Sequence, residues 1–177
     1  PSDNHRFQLS WRQSNAMDVL YAGLPMDADY DKSNILSLDY ASGKLSKQIN
    51  SFKLKIYGSF VDHEMSNTLR PAYAAAHAVS PVNATVLGGR TELGIQAGNS
   101  NLLFAGIDFK HLQKDGVRER LVIKNTCTGQ TFDTPKSFTD KIWQNSQQND
   151  FGLFVENKKQ INENMFLNLG IRADVIG

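Results

Sequence analysis

Alternation of apolar and polar residues with period two is the dominant signal in this chain. It is clearest over 49–61, where Phe52, Leu54, Ile56, Gly58 and Phe60 interleave with Lys53, Lys55, Tyr57 and Ser59. Successive side chains of an extended backbone point to opposite faces, so this is the period of a strand with one apolar face. The same pattern returns over 5–14 (Phe7, Leu9, Trp11), 34–41 (Leu36, Leu38, Tyr40), 89–98 (Thr91, Leu93, Ile95, Ala97) and 101–113 (Leu103, Ala105, Ile107, Phe109). It closes over 149–158 (Phe151, Leu153, Val155) and 165–175 (Leu167, Leu169, Ile171, Ala173). The expected fold class is all-β, with seven strands.

Strand length and connection length then narrow the architecture. Runs of about 10–13 residues exceed the usual ~5–6 and match the ~9–11 that a tilted strand needs to cross a bilayer. The parity opposite the apolar one carries Lys, Arg, Asp, Glu, Gln, Asn and Gly, as a hydrated or plugged lumen requires. Short, turn-rich links at 42–46, 98–101 and 161–164 alternate with long ones at 15–33, 62–87 and 114–148. In an antiparallel up-and-down meander this places every long link at one end and every tight turn at the other. Outer-membrane β-barrels have that asymmetry, with long extracellular loops and short periplasmic turns. The sequence therefore predicts part of a transmembrane β-barrel. The alternative from a different class is a soluble β-rich binding module with its apolar parity turned inward.

Composition removes other classes. The 177 residues carry 19 Lys+Arg against 18 Asp+Glu, a net charge of +1, so no basic excess exists for a nucleic-acid partner. No run approaches the ~18–20 apolar residues of a membrane-spanning helix. A single cysteine, Cys127, excludes a disulfide-stapled scaffold and a CxxC zinc site. No Ser/His/Asp set, paired carboxylate site or phosphate-binding Gly loop stands out, and Gly88-Gly89 opens a strand; the expectation is not an enzyme. The chain begins at Pro1 and ends within the apolar run Val175-Ile176-Gly177, so both ends read as cuts within a larger protein.

Two pieces of text carry a family resemblance. Asn149-Asp150-Phe151-Gly152-Leu153-Phe154-Val155-Glu156, followed after one tight turn by Leu167-Asn168-Leu169-Gly170-Ile171-Arg172-Ala173-Asp174, resembles the barrel of TonB-dependent outer-membrane receptors. There, a strand reading "N-D/x-F/Y-G-L-F-x-E" leads to "L-x-L-G-x-R-x-D". Thr91-Glu92-Leu93-Gly94-Ile95 and Leu103-Phe104-Ala105-Gly106-Ile107-Asp108 look like two further consecutive barrel strands. The resemblance implies a barrel of about 22 strands closed by an N-terminal plug. Residues 1–177 would be a fragment of the barrel domain, about seven strands, with the plug absent. It also implies the outer membrane of a Gram-negative bacterium, outer-membrane lipid around the wall, and TonB as energy-transducing partner through the missing plug. The implied cargo is a metal or metal chelate.

One stretch carries ligand chemistry. Val61-Asp62-His63-Glu64-Met65-Ser66-Asn67-Thr68-Leu69-Arg70-Pro71 resembles a segment of the TonB-dependent copper receptors, which place an "H-x-M" step in a "V-D-H-x-M-x-N-x-x-L-R" context. If the strand 49–61 continues, Val61, His63 and Met65 share the luminal parity, and an i, i+2 pair projects two side chains the same way, about 6.5–7 Å apart. Imidazole nitrogen and thioether sulfur suit copper, Cu(I) above all, far better than Mg²⁺ or Ca²⁺. Copper is then cargo, and no bound cofactor is expected. The resemblance implies that the remaining ligands come from a "C-x-x-x-M" pair in the plug, which Cys127-Thr128-Gly129-Gln130-Thr131 does not match. The alternative for His63 and Met65 is a packing cluster at a loop base, with Asp62 and Arg70 as a surface ion pair. The alternative cargo within the class is a ferric siderophore, held by aromatic and Arg loop residues.

Weaker metal candidates are Met17 and Met26 in the first long link and Cys127 in the third, where it is either free or paired outside these residues. His77 is expected in a short helix between Pro71 and Pro81. Trp11 is the leading residue for the lipid interface, followed by Tyr40 and Phe60; Trp143 is expected near the start of a strand at the loop side.

Overall fold

Extended backbone forms wherever the alternation runs, and each strand pairs with the one before and after it. The computed structural model describes residues 4–177; positions 1–3 of the expected 1–177 unit lie outside the described residues. The strands are β1 (His5–Val19), β2 (Asp27–Ser42), β3 (Ile49–Ser66), β4 (Ala76–Gln96), β5 (Asn101–Lys124), β6 (Thr131–Asn162) and β7 (Met165–Ile176). They form one seven-stranded sheet in sequence order. Every pairing is antiparallel, so the all-β up-and-down meander is the observed architecture.

Through the middle of the sheet, register sorts the two parities onto two faces. One row across all seven strands reads Phe7, Tyr40, Leu54, Thr91, Ile107, Leu153, Ala173. The next reads Gln8, Asp39, Lys55, Arg90, Asp108, Gly152, Asp174. A one-residue slip in any pairing would put charge on the apolar face, so the pattern specifies register strongly. Among the described residues nothing covers the apolar face: Leu9, Trp11 and Ile171 are 72%, 68% and 76% exposed, and the buried hydrophobic residues are Met26 and Ala28. This is the reverse of a two-layer soluble core. No helix is long and apolar enough to cross a membrane, which says nothing of a β-barrel.

The turn end and the loop end differ in a way the sequence did not disclose. Tight links join β2 to β3, β4 to β5 and β6 to β7. At the other end, most residues expected as long loops are strand: β4, β5 and β6 run for 21, 24 and 32 residues. The links there shrink to 20–26, 67–75 and 125–130. Polar residues such as Gln113, Lys114 and Asp115 supply no hydrophobic contrast, yet backbone pairing continues because β-ladder hydrogen bonds do not require an apolar face. A 3₁₀ turn, η1 (Pro71–Ala74), occupies the link after β3; the short helix expected around His77 is absent, and His77 lies in β4, its ring stacked 3.8 Å from that of Tyr73.

The polar face is laced with ion pairs: between neighbouring strands, Lys53 with Glu92 at 2.9 Å, Lys55 with Asp39 at 2.9 Å and Lys110 with Asp150 at 2.5 Å, and across β6 at Gly152, Arg172 of β7 with Asp108 of β5 at 2.7 Å. Two glycines on this face allow aromatic rings to lie across the backbone. A Cβ on Gly88 would overlap the ring of Tyr57, and one on Gly106 would overlap the ring of Phe154 and the Thr91 carbonyl. Both aromatics are the glycines' register partners.

Candidate metal site

Strand β3 continues in register past Val61, which puts His63 and Met65 on the polar face. The partners confirm the parity: His63 stands opposite Asp31 and Val82, Met65 opposite Ala28 and Ser80. The two side chains therefore project from one face near the loop end of the sheet, at the two-residue strand spacing of about 6.5–7 Å.

A β-bulge decides what surrounds each. Between Ala28 and Tyr30 the β2–β3 register shifts, so Asp29 has no partner in the ladder and Ala28 faces Met65. Asp29 instead accepts a hydrogen bond from Ser66 Oγ at 2.8 Å. The imidazole thus has a carboxylate opposite it and the thioether a methyl group. A carboxylate opposite Met65 would offer a hard oxygen beside a soft sulfur, and the bulge prevents that. Asp31 Oδ2 lies 3.3 Å from His63 Nδ1, a nitrogen that is closed off from solvent and makes no aligned hydrogen bond.

The loop end is held together by a clasp between two links. Arg70 Nη2 donates to the Tyr21 carbonyl at 2.6 Å and pairs with the Asp27 carboxylate, which also accepts the Tyr21 backbone N–H at 2.9 Å. That N–H, followed by Arg70, holds the Asp27 carboxyl below its ordinary value against the opposing effect of burial. The expected Asp62–Arg70 pair does not form. Asp62 instead accepts a bond from Tyr30 Oη at 3.4 Å. Burial, then the charges of Asp62 and Glu64, push the Tyr30 hydroxyl up. Neither Asp27 nor Asp31 was a candidate from sequence; their roles depend on pairing across 30 or more positions, which no local motif encodes.

The other candidates separate. Met17 lies within β1, opposite Tyr30, on the face away from His63, and is 55% exposed. It is therefore neither a loop residue nor a neighbour of the pair. Met26 is 8% exposed and sits immediately before β2, two residues from Ala28, the partner of Met65. Cys127 is a free, exposed thiol in the link between β5 and β6. The β5 residue in the His63 row is Gly116, and Lys124 lies roughly 25 Å farther along that strand at ~3.3 Å per residue. Cys127 is thus not brought to the pair. Trp143 is inside β6, with Lys114 Nζ 3.9 Å from its ring centroid. Among the described residues no group of three or more His, Cys, Asp or Glu side chains forms a metal cage; His63 and Met65 share one face as two candidate ligand side chains.

The three aromatics expected at a lipid interface all lie on the apolar face, at its edges. Trp11 and Phe60 stand toward the loop end, where Trp11 Nε1 donates to Asn34 Oδ1 at 3.4 Å. Tyr40 stands toward the turn end, its ring 4.8 Å from Phe7 and 6.0 Å from Phe52. His111 and Asn149, 2.8 Å apart, continue the polar edge beyond Phe109 and Phe151.

No family model matches the chain, and no curated protein matches it in sequence. In three dimensions it is similar to the copper transporter OprC, with a TM-score of 0.77 at 21% sequence identity. The match covers 98% of this chain and 26% of that one, so the chain spans about a quarter of the length of OprC, and what the two share is the fold, a run of antiparallel up-and-down β-strands.

Proposed function

We propose that these residues are wall throughout, a section of the β-barrel domain of a TonB-dependent receptor in the outer membrane of a Gram-negative bacterium, and that its cargo is copper. The observation that carries the reading is the His63–Met65 pair on the polar face near the loop end, in a sheet whose other face is an uncovered apolar band. The fold likeness to a copper transporter supports it. In this reading the apolar face meets lipid, the ion-paired polar face lines the lumen, and the loop end faces outward. His63 and Met65 contribute two soft-to-borderline ligands, which favour copper over the far more abundant Mg²⁺ and Ca²⁺. The rest of the coordination sphere, and the contact through which TonB supplies energy, belong to the plug.

The test is a Cu(I) titration of the full-length protein. His63→Ala and Met65→Ala should each weaken binding by at least about tenfold, equivalent to ~1.4 kcal/mol. Met17→Ala, on the opposite face, should leave it unchanged. Unchanged affinity in both site variants removes the pair from the site. Failure of the wild type to bind copper, together with binding of a ferric chelate, transfers the cargo to the siderophore class.

A further inference from the structure

We infer that Asp31 is the positioning residue of the site: it turns the His63 imidazole so that Nδ1 carries the proton and Nε2 is the atom presented to the metal. The functional half of this inference rests on the copper reading above.

Three observations carry it. Asp31 and His63 are direct register partners on one face, so the contact is built into the β2–β3 ladder and does not depend on a mobile loop. Nδ1 lies 3.3 Å from Asp31 Oδ2, is closed off from solvent and makes no aligned hydrogen bond to any other group or to Asp31 itself. A bare Nδ1 lone pair at that distance from a carboxylate would be repelled, whereas an N–H there is attracted; a neutral imidazole has one proton to place, and this geometry places it on Nδ1. Nε2 is left with the lone pair. The gap is slightly longer than an ordinary N–H···O bond and its atoms are not yet aligned as one. A cation drawing electrons from Nε2 makes Nδ1–H a stronger donor, so loading strengthens the contact, the arrangement by which an outer carboxylate orients a ligating histidine.

Selective ¹⁵N labelling of histidine in the full-length protein, with His63 identified by loss of its signals in His63→Gln, reads the tautomer without metal. Above neutral pH the wild type should show protonated Nδ1 and bare Nε2. Asp31→Leu should shift His63 toward the other tautomer and lower Cu(I) affinity about 10- to 100-fold; Asp31→Asn, which keeps an acceptor oxygen, should restore the tautomer and most of the affinity. An unchanged tautomer in Asp31→Leu overturns the inference. A shifted tautomer with unchanged affinity overturns its functional half while leaving copper binding intact. A wild type that binds no copper refutes the cargo reading and the functional half with it, and the metal-free spectra still decide the tautomer.

Discussion

Gly106 offers the sharpest quantitative test of how the strands are locked together. Its missing side chain is filled from two sides, by the ring of Phe154 and by the Thr91 carbonyl. The carbonyl belongs to a paired β4 backbone and has little room to retreat. Relief in Gly106→Ala must therefore come from Phe154, whose ring also lies beneath the Arg90 guanidinium at 4.3 Å. Displacing the ring forfeits that contact, about 0.5–1 kcal/mol at an exposed site, within a total overpacking cost of about 1–3 kcal/mol. Gly170 is the internal control. It lies on the same face, and a Cβ there meets only ordinary contacts, the nearest being Val155 O at 3.6 Å. Alanine restricts the unfolded chain equally at both positions, so that contribution cancels in the comparison. Urea titrations of the two variants refolded into lipid vesicles should place Gly106→Ala about 1–3 kcal/mol below Gly170→Ala, roughly 5- to 150-fold in the folding equilibrium. Equal midpoints for the two variants would refute the close-approach argument, as would a Gly170→Ala that loses as much.

Two further outcomes follow from the loop end. The Asp27 carboxyl is held below its ordinary value, first by the Tyr21 N–H and then by Arg70. A depressed acid contributes stability above its unfolded pKa and loses it as pH falls through the folded one. The urea-midpoint gap between wild type and Asp27→Asn should thus be full at neutral pH and close only below the ordinary carboxylate range near 3.8; a gap that widens on acidification contradicts the clasp. If the loop end faces outward, the exposed Cys127 should react with a membrane-impermeant maleimide on intact cells. A Cys at Ser100, in a turn at the other end, should react only after the outer membrane is opened when Cys127 is replaced by Ser, and the reverse pattern inverts the orientation.

The centres of all seven strands and the faces of their side chains were legible because period-two alternation is a local property. The apolar residues of 49–61 can share one side only in an extended chain. The length of the strands was not legible. Over 113–120 the residues read Gln-Lys-Asp-Gly-Val-Arg-Glu-Arg, and polar text on both parities looks like loop although the ladder runs on to Lys124. His63 and Met65 could be picked out from their types and spacing, while Met17 could not be excluded until β1 was seen to carry it onto the opposite face.

What the sequence by itself determined is the sheet and its two-faced chemistry, because side-chain alternation and strand period are the same regularity seen at two levels. What only the tertiary structure decided is the company each candidate keeps. Asp31 stands against His63, Ala28 against Met65 and Asp27 beneath Arg70. Those neighbours are set by inter-strand register and by one bulged residue, Asp29. The bulge changes the facing residue at Met65 and leaves the pairing of His63 as it is, and no reading of either strand alone contains that shift.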